Sequence, residues 1–343
     1  MSGVGDILGK AREHELAGRW TDAVELLTRS NRDNPDKALA RELLFLRRRA
    51  WDAAVTGSRQ SPGGASSMMV DPPARGGSGL PEVVGKLPGS GVLQAALQSG
   101  GCLLLRGAIH RDSTRRLTGL IDEAIREQGS SAGKLEPNGS ELLRRSANAG
   151  VSDNRIARTR RFVEESGGAL LMDSPEALFE LLLLYEELGL RNMAEEFLGS
   201  RVVISANKST LRKVQPDVFG GWHQDGAFLV EGVRALNLWL PLSPCGIDAP
   251  GLEIVPRRLD CIAETGTGDA WFDWTVGQET VTALAGDSGT VVPTFEAGDL
   301  LLFDQMLLHR TSVSSGMRRA RYAIEFWCFS IEGFPGHHVP LVW

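Results

Sequence analysis

Apolar side chains recur every three or four positions through residues 1–56, which is the spacing of amphipathic helices. The pattern predicts one helix before Gly18 and a second after Trp20, because the periodicity breaks between these two residues. It predicts a third helix that begins at Pro35 and takes Asn34 as its cap.

The same segment has the sequence pattern of a helical repeat. Residues Ala17 to Leu27, with the later Asn34-Pro35 step, resemble a single tetratricopeptide (TPR) repeat followed by a further helix. A lone repeat cannot bury both of its faces. We therefore expect it to dock on the rest of the chain, on a partner protein or on a second copy of itself.

Composition marks a boundary after these helices. Residues 57–79 hold six glycines, three prolines and five serines, so they predict a flexible linker. The expected domains are a helical TPR-like segment at 1–56, the linker at 57–79 and one large domain at 80–343.

The large domain begins with a mixed pattern and becomes β-rich after Ser200. Helices are predicted at 92–98, 113–127 and 174–188, and a buried strand at 102–106. The polar segment 130–168 has no clear period, which is typical of functional lids and loops. The later β-prone runs are 202–204, 209–214, 226–230, 235–242, 252–255, 290–295, 300–303 and 321–329. About eight short strands at this spacing predict a β-sandwich or jelly-roll.

Charge and cysteine usage narrow the classes of function. The formal net charge of −6 disfavours general affinity for nucleic acid, which needs a basic face. No run approaches the roughly 18 consecutive apolar residues of a membrane span. The first ten residues lack the pattern of a secretory signal, and the four cysteines form no C-x-x-C pair. We expect a cytoplasmic protein whose cysteines are buried as small apolar side chains.

A candidate metal site starts at His223-Gln224-Asp225. Residues i and i+2 of a strand point to the same face, so His223 and Asp225 can offer a nitrogen and a carboxylate to one point. His309 ends the buried run that follows Gly298. Two histidines and one carboxylate form the facial triad of non-haem Fe(II) oxygenases, which leaves coordination positions open. A 2-oxo acid and O2 can fill those positions.

A bound 2-oxo dicarboxylate would also need a cation for its far carboxylate, because an unpaired charge inside a barrel is costly. Arg318, Arg319 and Arg321 follow His309 and lead into the last predicted strand. Arg318 lies nine residues after His309, and its guanidinium can fork onto a carboxylate. Strand alternation would place Arg319 and Arg321 on the opposite face from Arg318. All three stay candidates.

Several motifs, taken in order, resemble the phytanoyl-CoA dioxygenase family of Fe(II)/2-oxoglutarate oxygenases. They are H-Q-D-G from His223, W-x-x-L from Trp239, G-L-E-I-V-P from Gly251, G-D-x-L-x-F before His309 and R-R-A from Arg318. The resemblance covers residues 80–329. It implies a mainly β fold with flanking helices, built on a double-stranded β-helix of the jelly-roll or cupin type.

The resemblance also implies a set of site residues. His223, Asp225 and His309 would hold Fe(II), with 2-oxoglutarate and O2 as co-substrates. Arg318 would bind the distal carboxylate of 2-oxoglutarate, with Thr311 and Trp239 as lesser contacts. Two departures from the family are visible: I-P-G-S-H is replaced by residues 254–258, and the family arginine usually lies slightly further from the histidine.

The expected function is oxidation, in the simplest case hydroxylation, of an unactivated C–H bond of a small-molecule metabolite or natural-product intermediate, with release of succinate and CO2. Candidate substrate contacts are Phe228, Arg234, Arg257 and the segment 130–168. Two alternatives stay open. One is a catalytically idle barrel that binds a partner protein, or self-associates, through the N-terminal helices. The other is a cupin-type metal dioxygenase that does not use 2-oxoglutarate.

Overall fold

Three helices open the chain in the computed structural model, which describes residues 3–57, 70–130, 142 and 153–343. They are α1 (Val4–Leu16), α2 (Trp20–Asp33) and α3 (Lys37–Gly57). The predicted start of the third helix at Pro35 is wrong, because the Asp36 carboxylate accepts the amide hydrogen of Ala38 at 2.8 Å. Asp36 therefore takes the capping role predicted for Asn34.

The opening helices pack on one another and on the rest of the chain. Leu27 and Leu39 are fully buried in a cluster that also contains Phe179 from the large domain. Leu44 and Phe45, on another side of α3, belong to the main core. The apolar faces of this helical segment are therefore covered in part by its own chain.

Of the predicted linker, residues 58–69 lie outside the described residues, whereas 70–79 lie against the large domain. The Arg75 guanidinium donates to the carbonyl oxygens of Gly79, Ser99 and Pro256 at 2.7 to 3.0 Å. These bonds hold residues 75–79 against the start of the large domain.

The remaining elements form a β core with flanking helices. The helices are α4 (Ser90–Gly100), α5 (Arg111–Ser130), α6 (Asp153–Glu165), α7 (Pro175–Glu187), α8 (Leu190–Leu198) and α9 (Gln278–Ala285). The strands are β1 (Glu82–Val84), β2 (Cys102–Arg106), β3 (Gly168–Leu170), β4 (Val202–Ser205), β5 (Thr210–Val214), β6 (Ala235–Pro241), β7 (Gly251–Ile254), β8 (Leu300–Asp304), β9 (His309–Ser312), β10 (Arg321–Ser330) and β11 (Pro340–Val342).

Two sheets face each other in this core. The large sheet runs in the order β1-β2-β8-β6-β10-β4-β11, with β5 also paired to β10 and β3 to β5. The small sheet pairs β7 with β9 in antiparallel register. This arrangement agrees with the mainly β, jelly-roll type of core that the sequence predicts.

Strand alternation decides what each face of the large sheet meets. Leu236, Leu238 and Leu302 point to one side and belong to the core that the helices cover. Trp239 and Leu301 point to the other side and pack with side chains of the small sheet. The space between the two sheets is therefore lined by the inward residues of β6, β8 and β10.

Two predicted strands are wrong. Residues 226–230 do not form a strand, because the chain turns through a short 3-10 helix at Asp225–Phe228. Residues 290–295 contribute only isolated bridges at Val291 and Phe295, since Pro293 between them has no amide hydrogen to donate. The short strand β9 was not predicted.

Two further findings bear on the class of protein. Cys261 is exposed, whereas Cys102, Cys245 and Cys328 are buried as expected. Cys261 lies in the loop after β7, where no sheet covers it. Among the described residues, none of the helices has the length and apolar character to cross a bilayer.

Candidate metal centre

Backbone pairing brings the two predicted histidines side by side. His309 opens β9, and its amide and carbonyl exchange two hydrogen bonds with those of His223, both at 3.0 Å. The two residues form an isolated antiparallel bridge, so their side chains leave the sheet on the same face. The imidazole centroids lie 4.5 Å apart.

Asp225 joins the pair from the turn that follows His223. The chain enters the 3-10 helix at Asp225, and the Gly226 amide donates to the carbonyl of Gln305 at 2.9 Å. The expectation that His223 and Asp225 share a strand is therefore wrong, although their side chains do converge. One Asp225 carboxylate oxygen lies 3.8 Å from His223 Nε2, and one ligand atom from each of the three residues lies within 4.8 Å of the others.

Hydrogen bonds orient each of the three side chains. His223 Nδ1 lies 2.9 Å from the carbonyl oxygen of Gly221, and His309 Nδ1 lies 3.0 Å from that of Leu307. Since a carbonyl can only accept, each Nδ1 carries the hydrogen and each Nε2 presents a lone pair to the site.

Asn237 orients the third side chain. It lies on β6, and its amide nitrogen donates to the second carboxylate oxygen of Asp225. The result is two neutral imidazole nitrogens and one carboxylate oxygen, the donor set of a facial Fe(II) triad.

Burial sets the protonation states that such a site needs. It lowers the pKa of His223 to about 4, with the charge of a protonated His309 contributing in the same direction. Burial also lowers the pKa of His309 and raises the pKa of Asp225 to about 6. Near neutral pH both imidazoles are therefore neutral and the carboxylate is ionised, which are the forms that bind a metal.

The triad opens into a cavity of about 70 Å³ between the two sheets. Trp239 and Thr311, the lesser contacts implied by the family resemblance, both line it. Phe228, a candidate substrate contact, lies near the triad, with its ring centroid 6.0 Å from that of His223.

The other candidate substrate contacts lie elsewhere or outside the described residues. Arg234 donates to the carbonyl of Phe197, and Arg257 is exposed. Most of the segment 130–168 lies outside the described residues.

The structure separates the three candidate arginines. Arg318 has an exposed side chain, and its amide donates to the carbonyl of Asp248. Arg319 is 78% exposed and pairs with Asp248 at 3.1 Å. Strand alternation does not apply to these two residues because β10 begins only at Arg321.

Arg321 is the arginine that lies between the sheets. Its side chain is 1% exposed, its Nη1 donates to the Gly251 carbonyl at 2.9 Å, and its guanidinium carbon lies 5.4 Å from the Trp239 ring centroid. Arg321 Nε and Trp239 Nε1 are both buried and have no hydrogen-bond partner among the described residues. Two buried donors without an acceptor fit a ligand that supplies carboxylate oxygens.

Two polar residues of the cavity, Asn237 and Glu325, were not predicted. Asn237 gives no sequence signal, because it is one polar residue inside an apolar strand. Glu325 is such a residue too, and it lines the cavity from β10. Burial by itself would raise the pKa of Glu325. The charge of Arg212, a 2.7 Å hydrogen bond from the Thr210 hydroxyl and the charge of Arg321 together outweigh burial, so the pKa of Glu325 is lowered.

Comparison with known proteins bears on the family of the chain. The sequence model of the phytanoyl-CoA dioxygenase family matches residues 98–320, which are well over half of the chain. No curated protein sequence matches it significantly.

Several solved structures resemble the chain at low identity. EctD from S. alaskensis, solved with 2-oxoglutarate and 5-hydroxyectoine, is 18% identical, with 70% of this chain and 76% of EctD covered at a TM-score of 0.48. The epimerase SnoN, solved with Fe3+, alpha-ketoglutarate and nogalamycin RO, is 14% identical, with 69% and 82% covered at 0.45. AviO1 from Streptomyces viridochromogenes Tue57 is 16% identical, with 70% and 94% covered at 0.42.

The family match spans the same stretch of chain that carries the triad of His223, Asp225 and His309. The chain therefore belongs to the phytanoyl-CoA dioxygenase family, and it is an Fe(II)/2-oxoglutarate-dependent dioxygenase.

Proposed function

We propose that this dioxygenase oxidises an unactivated C–H bond of a small-molecule metabolite or natural-product intermediate, in the simplest case by hydroxylation, with release of succinate and CO2. The observation that carries the proposal is the convergence of His223, Asp225 and His309 at one end of a cavity between the sheets. Among the described residues no fourth metal-ligating side chain joins this group, so positions remain for co-substrates.

The three ligands and their partners have separate tasks in this proposal. The iron would be held by His223 Nε2, His309 Nε2 and the Asp225 carboxylate. When bound, it would couple O2 activation to the oxidative decarboxylation of 2-oxoglutarate. The carbonyls of Gly221 and Leu307 keep both rings in the correct tautomer, and Asn237 fixes the carboxylate. The apolar walls of Leu252 and Phe303 exclude water from the reacting groups.

We assign the distal carboxylate of 2-oxoglutarate to Arg321, in place of Arg318. Arg321 is buried and forms no ion pair with a carboxylate among the described residues, and a dicarboxylate bound between the sheets would supply that partner. Trp239 Nε1 and the Thr311 hydroxyl offer further donors along the same cavity.

Succinate formation tests the reaction. Purified protein with Fe(II), ascorbate and 2-oxoglutarate should form succinate under air, and His223→Ala and Asp225→Ala should abolish it. His110→Ala is the control, because that ring is 79% exposed and does not line the cavity of the triad. Oxygen uptake without succinate would favour the cupin-type alternative, and full turnover in either triad variant would exclude this metal site.

A matched arginine pair tests the carboxylate site. Losing a charged hydrogen bond costs about 1.5 to 3 kcal/mol, so Arg321→Leu should raise the KM for 2-oxoglutarate roughly 10- to 100-fold. Arg318→Leu should leave it unchanged. Arg321→Lys keeps the charge and should recover part of the loss. The reverse pattern would return the role to Arg318.

We further propose that the helical segment 1–56 is TPR-like and has an accessory role in binding a protein partner or a second copy of this chain. A cleft of about 1100 Å³ between α2, α3, α7 and α8 supports this proposal, since it offers a surface remote from the triad. Sedimentation of the full chain over a range of concentrations tests self-association.

A cytoplasmic location is also proposed, because all four cysteines are free.

A further inference from the structure

Exposed aromatic rings collect on one surface of the molecule. Four phenylalanine and tryptophan side chains are markedly exposed among the described residues, and all four lie on this surface: Phe162 at 54%, Phe219 at 37%, Trp271 at 68% and Phe272 at 53%. With the half-buried Phe228 and Trp274 they form what we call the aromatic rim. Apolar side chains exposed together mark a binding site more often than apolar side chains scattered singly.

The aromatic rim begins at a metal ligand and extends to solvent. The Trp274 and Phe228 ring centroids lie 5.8 and 6.0 Å from that of His223 and 5.9 Å from each other. Phe272 stacks parallel to Trp274, with 5.5 Å between centroids and 1° between planes. The rings therefore form a continuous path from the metal centre to the surface.

Two further contacts complete the rim. Phe162 of α6 meets the edge of Trp274 at 6.1 Å. Phe219 and Trp271 pair at 4.4 Å.

Hydrophobic packing of the fold accounts for Phe228, which packs against the cluster of Ala235, Trp327 and Phe329, but not for the rings of the 271–274 loop. Trp271, Phe272 and Trp274 belong to none of the buried apolar clusters. The loop that carries them is nevertheless held in place, since the Val276 amide donates to the carbonyl of Trp222 at 2.8 Å. A Cβ at Gly221 would lie 2.3 Å from the Thr275 side chain. Only a glycine at position 221 therefore allows the loop to pack this closely beside His223.

We propose that the aromatic rim binds the substrate through a flat, largely apolar ring system, which stacks on these rings while a C–H bond attached to it faces the triad. The inference rests on the proposed oxygenase function. Flat rings are favoured over an aliphatic chain because aromatic pairs gain about 0.5 to 1.5 kcal/mol beyond their buried area. The substrate is favoured over a protein partner because the rim continues directly into the metal site.

Two neutral alcohols separate ring stacking from general hydrophobicity. Naphthylmethanol carries a flat ring system, whereas decanol has a similar number of carbon atoms and is the more hydrophobic of the two. Binding of each is measured by anaerobic equilibrium dialysis of the full chain with Fe(II) and saturating 2-oxoglutarate. Naphthylmethanol should bind about tenfold tighter than decanol. Equal or tighter binding of decanol, or binding of neither alcohol, would overturn the proposal.

Leucine variants then test the rings themselves, since leucine keeps apolar area and removes the flat face. Trp274→Leu and Phe272→Leu should each weaken naphthylmethanol binding about three- to tenfold and leave decanol within twofold. Trp20→Leu is the matched control, because its ring packs in the cluster of the opening helices, which contains no residue of the rim. Unchanged naphthylmethanol binding in both rim variants would overturn the proposal.

Succinate release by the wild-type protein without added alcohol keeps the two proposals distinguishable. Its absence would count against the oxygenase function itself. Its presence, together with failed naphthylmethanol binding, would count against the ring-binding proposal alone.

Discussion

Asp225 is an ionised carboxylate held where burial disfavours its charge. Its side chain is 5% exposed, and burial raises its pKa to about 6 from an ordinary 3.8. Asn237 donates one hydrogen bond to it, and the fixed positive charge that would offset the desolvation is that of a bound metal. The metal-free protein should therefore be destabilised by this residue at neutral pH.

Replacing the carboxylate by an amide tests this cost. Asp225→Asn should raise the free energy of unfolding of the metal-free protein at pH 8 by about 2 to 3 kcal/mol, because roughly two pKa units are removed. The sign follows from the raised folded-state pKa: the favoured protonated form is lost as pH rises through about 6. The gain should therefore fade as pH falls towards 3.8.

Urea unfolding in the presence of a chelator, at pH 8 and near pH 4, measures the difference. The charge of Asp225 also raises the pKa of His223, so the comparison at pH 8, where both rings are neutral, is the one that isolates residue 225. A variant that is no more stable than wild type at pH 8 would contradict the expected cost.

Asn237 should govern metal affinity without touching the metal. Asn237→Val removes the amide that orients Asp225, and loss of such an outer partner weakens metal binding by about 10- to 100-fold. Competition for Mn(II) against a chromophoric chelator measures the dissociation constant. An unchanged constant would show that the Asp225 carboxylate needs no such partner.

At the scale of elements, successive side chains of β10 point to opposite faces of the large sheet. Arg321, Ala323 and Glu325 face the small sheet, whereas Ile324 and Phe326 face the helices. A slip of one residue in its pairing with β6 would send both charges into the apolar core. The register in which seven residues of β10 pair with β6 therefore determines which side chains reach the site, as well as the fold.

The opening helices depend on a core of their own. Leu27→Ala should lower the free energy of unfolding by about 2 to 5 kcal/mol, because Leu27 is fully buried and its removal leaves a cavity. Leu16→Ala is the control, since Leu16 is 75% exposed and should change stability by less than about 0.5 kcal/mol. Urea denaturation followed by circular dichroism measures both. Equal effects would indicate that α2 does not pack as described.

At the scale of the whole molecule, the co-substrates should join the two sheets. A metal would neutralise Asp225 in the cavity, and 2-oxoglutarate would neutralise Arg321, which packs against the cavity residue Trp239, so each should favour binding of the other. Mn(II) and 2-oxoglutarate together should raise the Tm by more than the sum of their separate effects. A ligand at a hundredfold excess over its Kd contributes about 2.7 kcal/mol.

Differential scanning calorimetry with a chelator control measures this stabilisation. His223→Ala should lose the metal-dependent part. A strictly additive effect of the two ligands in the wild-type protein would contradict the coupling between the metal site and Arg321.

Local sequence determined the elements whose signal is short-range. The apolar periodicity of α2 and α3, the run Cys102–Arg106 and the Pro175 start of α7 each follow from a few neighbouring residues. The histidines and the carboxylate of the triad were also visible in the sequence, because an H-x-D step and a histidine after a buried strand are local patterns.

Only the tertiary structure decided which groups share the interior. The sequence leaves the choice among Arg318, Arg319 and Arg321 open, and the start of β10 after the turn is what buries Arg321 and leaves the other two outside. The same holds for Asn237, Glu325 and Trp274, whose partners Asp225, Thr210 and His223 lie 12, 115 and 51 residues away. Strand register and loop closure set these contacts, and both depend on long-range packing that no local pattern encodes.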